Sequence, residues 1–317
     1  MNRENNLPMG KIAVVTDSVA CVPQELLERY DIHVVPFHVV WDGRVYTDGV
    51  DLTPGEFYRF FDQNKAFPTT TQPSLADFIR TYARLSEEAE GIVSIHIPEE
   101  LTGAINVARV AAKEAASVPV RVVDSRMATM AQGFIVLEAA RTAAAGGTLD
   151  EVVSAAEALI ARVDFFATLD DLKHLHRGGR IGEAATLLGS KLRINPILSL
   201  AHGRVRVLGV VRTRPKAVEK MIEMMEEKVG QSPIHVSVFH GDALEEAQRI
   251  GEEIQSRFDC MEFYVTEFTP VMGAHTGPGV IGLAFYADEI DEPSATDGGR
   301  TNRRLGFLPR GLSFFAQ

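Results

Sequence analysis

Cysteine is nearly missing from this chain. Two occur in 317 residues, Cys21 and Cys260, far apart and in no CxxC or metal-ligand spacing. That excludes a disulfide scaffold and a cysteine zinc site, and both are expected to be small buried hydrophobes. Long apolar runs are missing too: no stretch of eighteen apolar residues occurs, so no integral membrane segment is expected. Met1–Gly10 lacks the apolar segment of a secretion signal, and a cytoplasmic location is expected. Positive charge is in deficit, with 32 Lys and Arg against 43 Asp and Glu and a net charge of −11. This argues against broad contact with nucleic acid or an anionic membrane, so any anionic ligand must find a local site. The chain also has no HExxH pair, EF-hand loop, GxSxG elbow, P-loop or dinucleotide fingerprint. Hence no metal, no cofactor and no catalytic residue is expected.

What the chain does have is alternation of apolar strands with helices. The length suggests about two domains, and 45% hydrophobic residues allow a large core. Ile12–Thr16, Ile32–Trp41, Gly91–Ile97 and Val120–Val123 read as strands, separated by helices at Gln24–Tyr30, Leu75–Glu90 and Ala104–Ala116. Asp42-Gly43 reads as a hairpin turn. This order predicts an α/β fold with a mainly parallel sheet and flanking helices, in which ligands bind beyond the carboxyl ends of the strands. Asp17, Thr102 and Asp124 fall there. Near Val163 the pattern restarts as a second, α+β domain, with a hairpin around Ala201-His202-Gly203, a helix over Lys216–Val229 and a final strand over Val280–Tyr286. The expected division is an extension over 1–11, domains over 12–163 and 164–288, and a loose tail over 289–317.

Three consecutive hydroxyls, Thr69-Thr70-Thr71, precede Gln72-Pro73-Ser74. Pro73 holds Gln72 extended, and Ser74 with Asp77 fits a capping box, so the threonines are expected on an ordered approach loop able to donate to a small anion. Two glycine-rich loops, Gly178-Gly179-Arg180 and Gly273–Gly279 around His275, offer backbone amides, a guanidinium and an imidazole close to a ligand. Asp17 and Ser18 fit loop support by hydrogen bonding.

Six motifs in order now carry a resemblance: Val15-Thr16-Asp17-Ser18, Thr70-Thr71-Gln72-Pro73-Ser74, Leu101-Thr102-Gly103, Val123-Asp124-Ser125, Gly178-Gly179-Arg180-Ile181 and His275-Thr276-Gly277-Pro278-Gly279. The chain resembles the DegV family from about Ile12 to Tyr286. The resemblance implies a DegV-like two-domain fold that binds a long-chain fatty acid, such as palmitate, stearate or oleate, in the interdomain region. It also implies a partner, the catalytic subunit of a fatty acid kinase, which phosphorylates the presented carboxylate. By position, Thr70 and Thr102 match the carboxylate-binding hydroxyls, and Arg180 and His275 match head-group residues; Asp17, Ser18, Thr71 and Ser74 would support the loops. The sequence departs from the family pattern at Thr71 and Thr102, where serine is usual, and at Asn195, where lysine is frequent. Val34, Phe37, Phe166, Ile194 and Ile197 are candidate tunnel walls. An enzyme for a small phosphorylated or carboxylated metabolite, or a regulatory lipid sensor, stays open as an alternative.

Overall fold

The computed structural model describes residues 11–63, 66–189 and 194–288; the expected tail, and all but Lys11 of the expected extension, lie outside the described residues. The first half runs β1 (Ile12–Asp17), α1 (Gln24–Arg29), β2 (Ile32–Val35), β3 (His38–Trp41), β4 (Arg44–Thr47), α2 (Pro54–Gln63), β5 (Thr69–Thr71), α3 (Leu75–Leu85), β6 (Gly91–His96), α4 (Ala104–Ala115) and β7 (Val120–Asp124). Two helices, α5 (Thr129–Ala144) and α6 (Leu149–Ile160), lead into β8 (Asp164–Thr168), α7 (Lys173–Arg177), β9 (Asn195–Ala201) and β10 (Arg204–Val211). The chain ends with α8 (Arg214–Val229), β11 (Ile234–His240), α9 (Leu244–Arg257), β12 (Cys260–Glu267), α10 (Pro270–Thr276) and β13 (Ile281–Ala287).

β2, β1, β6 and β7 form a parallel sheet in that order. β1 and β6 are buried at every position, which is why both read as near-continuous apolar runs. The strand order reverses between β1 and β6, opening a crevice beyond Asp17 and His96. β10-β9-β8-β13-β11-β12 make the second sheet, mixed in direction with only β11 and β12 parallel. One apolar core runs through both halves, joining Val14 and Phe134 to Phe165, Phe239 and Tyr286. The site therefore lies between two sheets that share a core.

Five local expectations are corrected. Ile32–Trp41 is two strands, because Pro36 cannot donate to a ladder; β3 instead joins a small sheet of order β4-β3-β5. Its hairpin turn has Asp42 and Gly43 at φ 50 and 75, as a type I′ turn requires. The hydroxyl stretch is not a loop: Thr69–Thr71 is β5, with Thr70 opposite Val39. Gly273–Gly279 is not a loop either. Pro270 starts α10 at its first turn and Gly277, at φ 74, stops it, so His275 sits in a helix's last turn. α3 also ends early, at Ser86, whose hydroxyl donates to Tyr82 O. Cys21 and Cys260 are free and only partly buried, not fully buried as expected.

Candidate functional site

Between the two sheets lies a cavity of about 360 Å³. Its walls are apolar, with Val19, Phe37 and Ala128 from the first half and Phe165, Ala167 and Leu198 from the second. Its polar lining comprises Thr70, Thr71, Gln72, Thr102, Arg180 and His275, with Ser199 and Thr276 besides. The structure thus brings together the four expected head-group residues and Thr71. Asp17, Ser18 and Ser74 do not line the cavity.

The last three act behind it. Asp17, buried at the end of β1, accepts hydrogen bonds from Val19 N, Ile97 N and Gln132 Nε2 and faces His96 Nδ1 at 3.0 Å. Val19 and Ile97 are cavity walls, so this carboxylate pins two strand ends around the site. Ser18 Oγ accepts from Phe37 N at 3.1 Å. Ser74 completes the expected capping box with Asp77 and anchors the end of the Thr-Thr-Gln-Pro segment.

Thr70 Oγ1 and His275 Nε2 are 2.8 Å apart, across 205 residues of sequence. His275 Nδ1 is buried without a partner among the described residues, and a methyl on Gly178 would lie 2.3 Å from it. An orphaned N–H there would be costly, so the favoured tautomer leaves Nδ1 bare and lets Nε2–H donate to Thr70. Thr70 then turns its own hydroxyl proton toward the cavity. Burial, assisted by the nearby Arg180 charge, lowers the His275 pKa to about 4. The imidazole is neutral at pH 7.

Arg180 spends two donors on carbonyls, Nε to Leu101 O at 3.1 Å and an Nη to Gly178 O at 2.6 Å. It therefore ties the α7 turn to the loop carrying Thr102 while bordering the cavity. Thr102 Oγ1 donates to Gln72 Oε1 at 3.2 Å. Gln72 is not among the expected site residues although it stands inside the Thr-Thr-Gln-Pro-Ser motif; the signal that could have found it is the motif itself. A Cβ at Gly103 would lie 2.8 Å from Gln72 Oε1, so glycine leaves the Gln72 amide room beside Thr102.

Of the expected wall residues, Phe37 lines the cavity. Phe166 and Ile197 face the opposite side of the second sheet, in the core under α8, because β8 alternates and Phe165 and Ala167 take the cavity face. Ile194 borders a separate, more polar hollow with Asp171, Lys173 and His176, and Val34 lines neither. That hollow is larger, about 600 Å³, but it lies away from the threonines. Among the described residues no group of three or more His, Cys, Asp or Glu could hold a metal, and no helix is long and apolar enough to cross a membrane.

A sequence model of the DegV family, described as an uncharacterised protein, matches residues 11–288. A DegV domain-containing protein of Streptomyces coelicolor is 40% identical over 274 residues, 86% of this chain and 97% of that one. Among solved structures, a fatty-acid-binding DegV family protein from Thermus thermophilus superposes with a TM-score of 0.83 at 34% identity, covering 87% of this chain and 99% of its own. DegV of Bacillus subtilis, described as a fatty acid binding protein, gives 0.83 at 31%, covering 88% and 100%.

Proposed function

Because the chain belongs to the DegV family, we propose that it binds a long-chain fatty acid, such as palmitate, stearate or oleate, and presents its carboxylate to a separate fatty acid kinase subunit. One observation carries this reading: an apolar cavity bordered by the hydrogen-bonded pairs Thr70–His275 and Thr102–Gln72, beside the exposed Thr71. The acyl chain is buried and the carboxylate lies nearest to solvent and to a partner.

The donor set fits one negative charge. A buried carboxylate is costly unless hydrogen-bonded. Thr70 turned by His275, Gln72 and, once its hydroxyl turns away from Gln72 Oε1, Thr102 supply neutral donors, and Arg180 supplies a single guanidinium. Burial of about fourteen methylenes at roughly 0.8 kcal/mol each gives on the order of 11 kcal/mol, an upper bound before association costs. Hydrophobic burial supplies the affinity, and the hydroxyls fix which end enters first. The protein acts as a carrier, without chemistry of its own.

Native mass spectrometry of gently purified protein is expected to show one retained fatty acid. Given ATP, the isolated chain forms no acyl phosphate, and adding a kinase subunit produces it. Robust turnover by the isolated chain, surviving further purification, would replace the carrier reading with an enzyme.

A further inference from the structure

Three phenylalanine rings lie face to face beside the cavity. Phe165 stacks on Phe239 with centroids 5.0 Å apart and planes 13° from parallel, and Phe239 stacks on Phe268 at 5.2 Å and 13°. Phe165 and Phe268 line the cavity; Phe239, fully buried between them, does not.

The stack has a seat. β13 stands between β8 and β11 in the sheet, and it presents Gly282 opposite Ala167 and Ala284 opposite Phe165. These are small residues, and the rings lie across the gap they leave. A Cβ at Gly282 would fall 2.3 Å from Phe239 Cζ and 2.2 Å from Phe166 O, so only glycine lets the middle ring lie there. Phe268 is fixed at its backbone, its N–H donating to His240 O at 2.7 Å. Along the chain, Phe165 is four residues before Leu169, about 13 Å away at strand spacing. Leu169 also lines the cavity, and the chain beyond it leads through α7 to Arg180.

We propose that the Phe165–Phe239–Phe268 stack is the gauge that sets the longest acyl chain this protein accepts, with Phe239 as a positioning residue that acts through its two neighbours. The inference rests on the fatty-acid reading above. A lone ring at a cavity wall swings aside on its χ angles, and selectivity then falls away gradually. Three rings in contact, in a close-packed interior and on a glycine seat, move only together. A chain whose terminal methyl reaches them meets a stop. Affinity should therefore rise about fourfold per methylene up to one length and fall abruptly beyond it.

The test offers delipidated protein an equimolar mixture of saturated acids from twelve to twenty-two carbons and reads the bound distribution by native mass spectrometry. Distributions are normalised to the preferred acid, which a general loss of stability does not alter. In the wild type the distribution should end sharply. Phe239→Leu and Phe165→Leu should each extend it by about two carbons and raise the ratio of longer acids to the preferred one at least tenfold. Ala167→Leu, which fills space beside the stack, should shift the preference to shorter acids. Unchanged distributions in the variants that fold would overturn the gauge. A wild type that takes up no acid of any length would instead overturn the lipid-binding reading itself.

Discussion

Gly178→Ala will weaken fatty-acid binding by about 10–100-fold although residue 178 does not line the cavity. The added methyl would sit 2.3 Å from His275 Nδ1, 3.1 Å from its Cε1 and 3.3 Å from His174 O. The ring must retreat by about 1 Å to restore ordinary contact, and overpacking of this kind costs roughly 1–3 kcal/mol. The retreat breaks the 2.8 Å contact between His275 Nε2 and Thr70 Oγ1, so Thr70 no longer directs its proton at the carboxylate. Gly179→Ala is the contrast. Gly179 has φ +71, and a methyl added there would meet nothing within 4 Å, so that change costs about 1 kcal/mol of stability through the backbone and leaves affinity intact. Titration of both delipidated variants with oleate, beside thermal melts, separates the two effects. Equal affinities for wild type and Gly178→Ala would remove His275 from the head-group site.

Asp48→Asn will stabilise the protein at neutral pH. Asp48 is buried behind β4 and its Oδ1 accepts from Val271 N at 2.9 Å, joining the first half to the start of α10, the helix that carries His275. Its other oxygen has no partner among the described residues by hydrogen-bond geometry, although Ser18 and Thr269 lie near enough to lower its pKa. Burial outweighs those donors and raises the pKa from 3.8 to about 6. The folded state thus binds this proton more tightly than the unfolded chain does. The resulting stability is complete below about pH 3.8 and is lost as pH rises through about 6. At pH 7.5 the ionised carboxylate costs on the order of 2–3 kcal/mol. Asparagine keeps the acceptor for Val271 N and removes the charge. The variant should melt about 5 °C higher at pH 7.5, with the gain shrinking toward zero near pH 4. A constant difference across that range, or none, would show that Asp48 is not carrying a buried charge.

The sequence made some of this legible and hid the rest for definite reasons. β1 and β6 read as near-continuous apolar runs because both faces are covered, and such runs announce themselves. The same property conceals the cavity face of β8: in Asp164–Thr168 both faces are buried, so alternation gives no phase, and Phe166 is the expected wall where Phe165 is the actual one. β5 has three threonines and no apolar residue, and its partner β3 lies some thirty residues earlier, so only tertiary pairing makes it a strand. Glycines disguise α10, whose start and stop are nonetheless written in Pro270 and Gly277. Motif order points to Thr70, Thr102, Arg180 and His275, yet the contact that orients Thr70 spans 205 residues and no local pattern contains it.

In the proposed complex a fatty-acid carboxylate is held by Thr70 and Thr102 beside His275 and Arg180. Oleate labelled with carbon-13 at its carboxyl, bound to delipidated wild type, Thr70→Ala, Thr102→Ala and Thr102→Ser protein, tests it by NMR. One saturable bound resonance is expected, at one acid per chain. Each alanine variant should move it and lower affinity by about 1–3 kcal/mol, the cost of one missing hydrogen bond to a buried charge, while Thr102→Ser leaves it nearly in place. A bound carboxyl resonance with the same position and affinity in all four proteins would mean that neither threonine holds the carboxylate.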